Sequence, residues 1–187
     1  MIITEKHKLK DIGKILPLAN LANVDLLKEC SKFEMPKMIQ GIEPMKHHKI
    51  TILQQSWIWD IKDKSDLLIA YADIFFGIKK KHEKWLANCP LIDFYRFCFE
   101  VQQQSIRYAD EFAKIKVELT EDEKKAGFGD KDPNGLVSMV YSMSNKKHVS
   151  MEVAWQYPVV EYIYSFQTDA KESNKQRKYN KIIAEKK

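Results

Sequence analysis

Apolar residues along this chain recur at three- and four-residue steps, the spacing of helices buried along one face, and seldom at every second position. The longest such run follows Pro90: Leu91, Phe94, Tyr95, Cys98, Val101, Tyr108, Phe112 and Ile115 form one stripe, while Gln102, Gln103, Gln104 and Arg107 occupy the polar side. Proline suits a helix's first turn, where its missing N–H costs nothing. The spacing therefore predicts a central helix from Pro90 to about Lys116. Ahead of it, Ile52, Leu53, Trp57, Ile58 and Ile61 predict a helix with a broad apolar face. Leu67, Leu68, Tyr71, Ala72, Phe75 and Phe76 predict the next, stopped by Gly77, with a shorter piece around His82 to Ala87. The first part of the chain reads as short helices at proline-marked turns. One is the stripe Leu9, Ile12, Ile15 and Leu16, ended by Pro17; another is Val24, Leu26, Leu27 and Cys30, capped by Asn23 or Asp25.

The last third carries the sharpest local signals. Thr120 with Glu123 is a capping box, in which hydroxyl and carboxylate satisfy each other's free backbone N–H groups, and Gly127 stands where a left-handed C-cap would follow. Leu136, Val137, Val140, Tyr141 and Met143 predict a further amphipathic helix. Ser150 caps a short one, Pro158 restarts the chain, and Val159, Ile163, Phe166 and Ala170 form an apolar edge. That edge lapses beyond Ala170 until Tyr179, Ile182 and Ile183, so the final stretch is expected to protrude or fray.

Composition agrees with the periodicity. Six glycines and six prolines in 187 residues are too few for the frequent turns of an all-β fold. The expected fold is all-α: a multi-helix globular bundle with a C-terminal helical unit and a charged protruding tail. Residues 1–118 are read as the N-terminal and central helical domain and 119–187 as the C-terminal helical unit with its basic tail. A hydrophobic fraction of 44% with 30% charged residues suits a soluble core. Three cysteines without paired short spacings suggest a reducing, cytoplasmic setting. No apolar h-region opens the chain and no apolar run approaches the ~18 residues of a membrane span.

Net charge is +5, without the dense basic stripe of a dedicated nucleic-acid module. The lysine runs at 79–84 and 171–187 are interleaved with acids and read as solvated faces, so nucleic acid is not the expected partner. Asp130, Asp132, Asn134 and Gly135 match the opening of a calcium loop, but its twelfth position is Tyr141, which cannot supply the bidentate carboxylate. A turn leading into a helix is the better reading. His7, His47, His48, His82 and His148 have no zinc spacing; His47 and His48 are expected to point apart at the surface, and His82 to lie on an exposed lysine-rich face. There is no P-loop, dinucleotide fingerprint or nucleophile elbow, and no cysteine has a specified histidine partner. No catalytic residue, metal site or cofactor is expected, and the chain is read as non-enzymatic.

Trp155, Tyr157, Tyr162, Tyr164 and Phe166 crowd a dozen positions. Core packing accounts for most of them; the remainder could form an exposed aromatic patch, which marks a partner surface. The layout from Glu123-Lys124-Lys125-Ala126-Gly127-Phe128 through Leu136-Val137-Ser138-Met139-Val140-Tyr141 to Tyr157-Pro158-Val159-Val160-Glu161-Tyr162 resembles the tail assembly chaperones of tailed phages. The resemblance covers roughly Thr120 to Ile183 and is one of organisation, not of a diagnostic motif. It implies a cytoplasmic protein that coats the helical tape-measure protein and recruits tail-tube subunits. The aromatic cluster would be one contact surface and the tail, with Arg177 and Lys178, a second. Homo-oligomerisation is compatible with this reading. The alternatives are a structural adaptor or virion protein that self-associates, and a helical nucleic-acid-binding protein using the lysine runs.

Overall fold

A computed structural model of the chain describes residues 4, 6–12, 14–15, 25–125 and 134–185, the side chains of residues 64 and 65 excepted. Among them are nine α-helices: α1 (Leu26–Cys30), α2 (Ile52–Asp60), α3 (Lys64–Phe76), α4 (His82–Asn88), α5 (Leu91–Ala113), α6 (Glu121–Lys125), α7 (Gly135–Lys147), α8 (Met151–Ala154) and α9 (Val159–Glu185). Short 3₁₀ turns cover Leu9–Asp11 and His47–Lys49. Extended pairing among these residues is limited to isolated bridges. The fold is all-α and multi-helical, as the periodicity predicted. The calcium-like Asp130 and Asp132, Gly127, Leu16, Pro17, Asn23 and Val24 lie outside the described residues.

The chain forms two units, one of Met1–Ile50 with Gln54–Arg107, the other of Thr51–Leu53 with Tyr108–Lys187. Helix α5 contributes to both. In the first unit the α5 stripe is buried at Leu91, Phe94, Phe97, Cys98 and Val101. The core around it is built of rings. Phe97 meets Phe75, Phe76 and Phe94 with centroids 5.3, 4.9 and 6.4 Å away, and Trp85 meets Phe76 and Phe94 at 5.0 and 5.9 Å. Most of these pairs are edge-on or tilted, so that each ring's positive rim meets a neighbour's negative face, worth about 0.5–1.5 kcal/mol per pair beyond burial. Gly77 follows α3 with φ +68°, the left-handed conformation that ends the helix. Pro90 precedes α5 by one residue, and its carbonyl accepts the helix's first bond from Phe94 N–H at 3.0 Å. Two backbone bonds, Leu9 N–H to Cys89 carbonyl (3.0 Å) and Leu91 N–H to His7 carbonyl (2.9 Å), tie the first 3₁₀ turn beside that start.

Three expectations are corrected here. Trp57 does not face inward: it is 51% exposed, and Gln55, at 1%, takes the buried position with Ile52 and Ile58. Gln55 Nε2 donates to Ser105 Oγ at 3.1 Å, a polar pair that offsets part of its desolvation. His47 is half-buried against the rings of Phe75 (5.3 Å) and Phe97 (6.1 Å), and burial lowers its pKa, whereas His48 is exposed. His82 is half-buried too, with a buried Nε2.

The second unit packs mostly aliphatic side chains. Ile52, Tyr108 of α5, Val140 and Met143 of α7, Ala154 of α8, and Val159, Tyr162, Ile163 and Ala170 of α9 are buried in it. Ser150 caps α8 by accepting from Val153 N–H at 3.4 Å. The Thr120–Glu123 box forms in both directions: Thr120 N–H donates to Glu123 Oε2 at 2.8 Å, and Glu123 N–H donates to Thr120 Oγ1 at 3.3 Å.

Candidate partner-binding surface

Helix α9 is the platform of the second unit. Its 27 residues extend about 40 Å at 1.5 Å per residue. Its start is set by the turn after α8. Tyr162 Oη donates to the Ala154 carbonyl at 2.8 Å, and the carbonyls of Tyr157 and Trp155 accept from Ile52 and Leu53 N–H at 3.0 and 3.3 Å. The aromatic turn is therefore fixed by the main chain as well as by packing. Lys147 Nζ lies 6.0 Å from the centre of the Tyr157 ring, at the edge of cation–π range.

The predicted aromatics separate by depth. Tyr162 is 0% exposed, stacks on Phe166 at 6.4 Å and belongs to the core. Trp155, Tyr157 and Phe166 are half-buried. Tyr164 is 74% exposed, and Val160, one turn before it, is exposed as well. The helical period explains the split: 159, 162, 163, 166 and 170 share the inward face, and 160 and 164 the opposite one.

Farther along, α9 is held by Asn174 and Gln167, which the sequence reading did not single out, and by Arg177 and Lys178, which it did. Asn174 Oδ1 accepts from Glu118 N–H at 2.8 Å while its Nδ2 donates to the Lys116 carbonyl at 3.2 Å, so one amide clamps an extended segment. Gln167 Nε2 donates to Glu111 Oε2 at 2.9 Å. Arg177 Nη1 reaches both carboxylate oxygens of Glu123, at 2.7 and 2.5 Å, and with the Thr120 bonds this holds that carboxyl down to about 2. Lys178 Nζ lies 3.8 Å from Glu118. Arg177 thus secures the capping box of α6 to α9 and is not a loose cation. Beyond Lys178 the helix carries Tyr179, Ile182 and Ile183, all exposed, at steps of three and one. These three form an apolar stripe on two otherwise polar turns.

The first unit has two surface grooves. One, of about 320 Å³, is lined by Gln40, Ile78, Lys80, Lys81, Lys84, Trp85 and Asn88. The other, of about 440 Å³, lies on α2 and α3, where Trp57, Ile61, Ile69, Ala70 and Ile74 make the apolar lining and Asp60, Asp66 and Asp73 the charged part, with His82 from α4. Residues 66, 69, 70, 73 and 74 share one face of α3, a period-3.6 signal legible in the sequence that the inward stripe of the same helix overshadowed.

The described residues include all five histidines and all three cysteines. Cys30, Cys89 and Cys98 are buried, and burial pushes their thiols up, to about 11 for Cys30 and about 12 for Cys89. A thiol so shifted is a poor nucleophile near neutral pH. No group of three or more His, Cys, Asp or Glu side chains among them could hold a metal ion. No helix among them is long and apolar enough to cross a membrane. The chain matches no protein-family model and no solved structure. The resemblance to tail assembly chaperones therefore stands on the layout of residues 120–183 alone.

Proposed function

We propose that this chain is a non-enzymatic binding protein that holds a helical protein partner on the outer face of α9. The observation that carries the reading is the pair Val160 and Tyr164, one turn apart on the side of α9 opposite its core face, with Tyr164 three-quarters exposed. A large apolar ring held open on a rigid helix, with half-buried Trp155, Tyr157 and Phe166 on the same segment, suits the apolar stripe of an amphipathic helix. The specific role in keeping with the chaperone resemblance is tail assembly, with the tape-measure protein as the helical partner and tail-tube subunits recruited afterwards. The test is co-purification with a helical tape-measure fragment. Tyr164→Ala with Val160→Asp should abolish capture, while Tyr162→Phe, which keeps the core ring, should leave it intact. Equal capture by the double variant would remove α9 as the binding face.

A second reading has its own observation. Lys80, Lys81 and Lys84 line one groove together with Trp85, which is a cationic setting with a ring in it, suited to a nucleic-acid backbone. It predicts binding to single-stranded DNA or RNA that falls steeply with salt and is lost on Lys80→Glu with Lys84→Glu. The helix-binding reading predicts no such loss.

A further inference from the structure

We infer that the α2–α3 groove of one copy receives the basic, aromatic tip of α9 from a second copy, so that the chain associates with itself through unlike surfaces. The two surfaces are complementary in each respect that can be compared. The groove offers Trp57, Ile61, Ile69 and Ile74 with Asp60, Asp66 and Asp73, and among the described residues no lysine or arginine contributes to its lining. None of these three aspartates is in an ion pair among the described residues. The tip offers Tyr179, Ile182 and Ile183 on one stripe; Lys181 lies 4.0 Å from Glu185, and the sequence then adds Lys186 and Lys187, for a net charge of +2 from Tyr179 onward (three lysines, one acid).

Size agrees as well as charge. A groove of about 440 Å³ lies in the range that takes a few side chains, and the stripe supplies three. Within its own chain the tip gains little. The last side chains of α9 that are less than fully exposed are Ser173, Asn174 and Arg177, and every described residue from Lys178 on is exposed. Two turns of unsupported helix are marginal in water, so docking would also supply the packing that keeps them helical. The contact joins different surfaces of the two copies, so it is made either reciprocally, closing a two-fold dimer, or in one direction, propagating into chains or rings.

Sedimentation of the full chain over a concentration series tests this. The weight-average mass should climb above that of the monomer, and raising the salt should weaken the association, because exposed charges are screened. Ile69→Lys in the groove should hold the protein monomeric, and so should Tyr179→Ala with Ile182→Asp in the tip. Both sets alter exposed positions, and circular dichroism checks that each variant keeps its helices. Should Ile69→Lys fail to fold, Asp66→Asn with Asp73→Asn replaces it. Mixing the groove variant with the tip variant is the discriminating step, since each retains the half that the other lacks. The mixture should give a one-to-one dimer and nothing larger. A monomeric wild-type chain throughout the series, association unchanged in either variant, or a mixture that stays monomeric would each overturn the inference. None of these outcomes bears on capture of a helical partner by Tyr164.

Discussion

The two units solve the same packing problem with different materials. The first has a core of interlocked rings: Phe75, Phe76, Trp85, Phe94 and Phe97 each touch at least one other ring of the set. The second stacks Tyr162 on Phe166 and buries Tyr108, in a core otherwise mostly of Val, Ile, Met and Ala. Exposure runs the other way. Of the large apolar side chains left in solvent among the described residues, Met38, Trp57, Trp59, Ile69 and Ile106 belong to the first unit, against nine from the second, seven of them on α7 and α9. In the second unit Tyr141, Tyr164 and Tyr179 stand in solvent on the same elements whose other faces are buried. The comparison teaches that aromatic density in a sequence is by itself silent about binding, since the same residue type serves both ends according to which helix face it occupies.

The sharpest way to break this comparison is to truncate a ring at each end of it. Phe97→Ala removes the ring that touches Phe75, Phe76 and Phe94 and leaves a cavity in a fully enclosed site. The expected loss is about 3–5 kcal/mol, read from urea denaturation. Tyr164→Ala in the second unit removes a ring that is three-quarters in solvent, and its expected cost lies within about 0.5 kcal/mol. If the two losses were comparable, Tyr164 would be structural and the outer face of α9 would lose its claim to a partner.

How far this division was legible in the sequence depends on the residue. The inward stripe of α5 follows from its spacing, and the Thr120–Glu123 box from four consecutive positions, because both are local. Tyr162 and Tyr164 differ by two positions on a helix, a rotation of about 200°, so their opposite fates follow from the period once the inward face is known. Trp57 and Gln55 defeated the same logic. Hydrophobicity put the indole inside, whereas Ser105, fifty residues later, supplies the hydrogen bond that lets the glutamine take that place. His47 likewise owes its burial to rings on α3 and α5. The Asn174 clamp and the Arg177–Glu123 pair join residues more than fifty positions apart, and nothing local announces them.

Next in size is the core tyrosine of the second unit. Tyr162→Phe keeps the ring but leaves the Ala154 carbonyl without its 2.8 Å donor, for an expected cost of about 1 kcal/mol by thermal or chemical denaturation. A negligible cost would mean that the turn before α9 is held by the main-chain bonds to residues 51–53 alone. Thr120→Ala should cost a similar amount, about 1 kcal/mol, through the lost cap. Its signature lies in acid. Glu123 is held down to about 2 from its ordinary 4.5, chiefly by the Arg177 hydrogen bond and then by Thr120. The depressed value means that the folded state resists protonating this group. Its contribution is complete above pH 4.5 and disappears as the pH falls toward 2. Glu123→Gln should flatten that part of the stability profile.

The smallest effect separates the units by pH. His47 lies among the rings of the first unit, and burial lowers its pKa from the ordinary 6.5, against a weaker opposing pull from Glu100. Folded chains therefore take up this proton less readily than unfolded ones. Above pH 6.5 both states carry a neutral imidazole and the group adds no pH dependence; below it the unfolded state gains the proton first. Stability attributable to His47 should then decline as the pH drops below 6.5 and level off once the folded imidazole is also charged. That window lies above the one set by Glu123, so a stability profile should show two acid steps, the upper from the ring core and the lower from the capped helix of the second unit. His47→Phe should erase the upper step and leave the lower in place, with chemical-shift titration of the imidazole as an independent reading. If the upper step survived the substitution, another group would own it, and the ring core would have no titrating member.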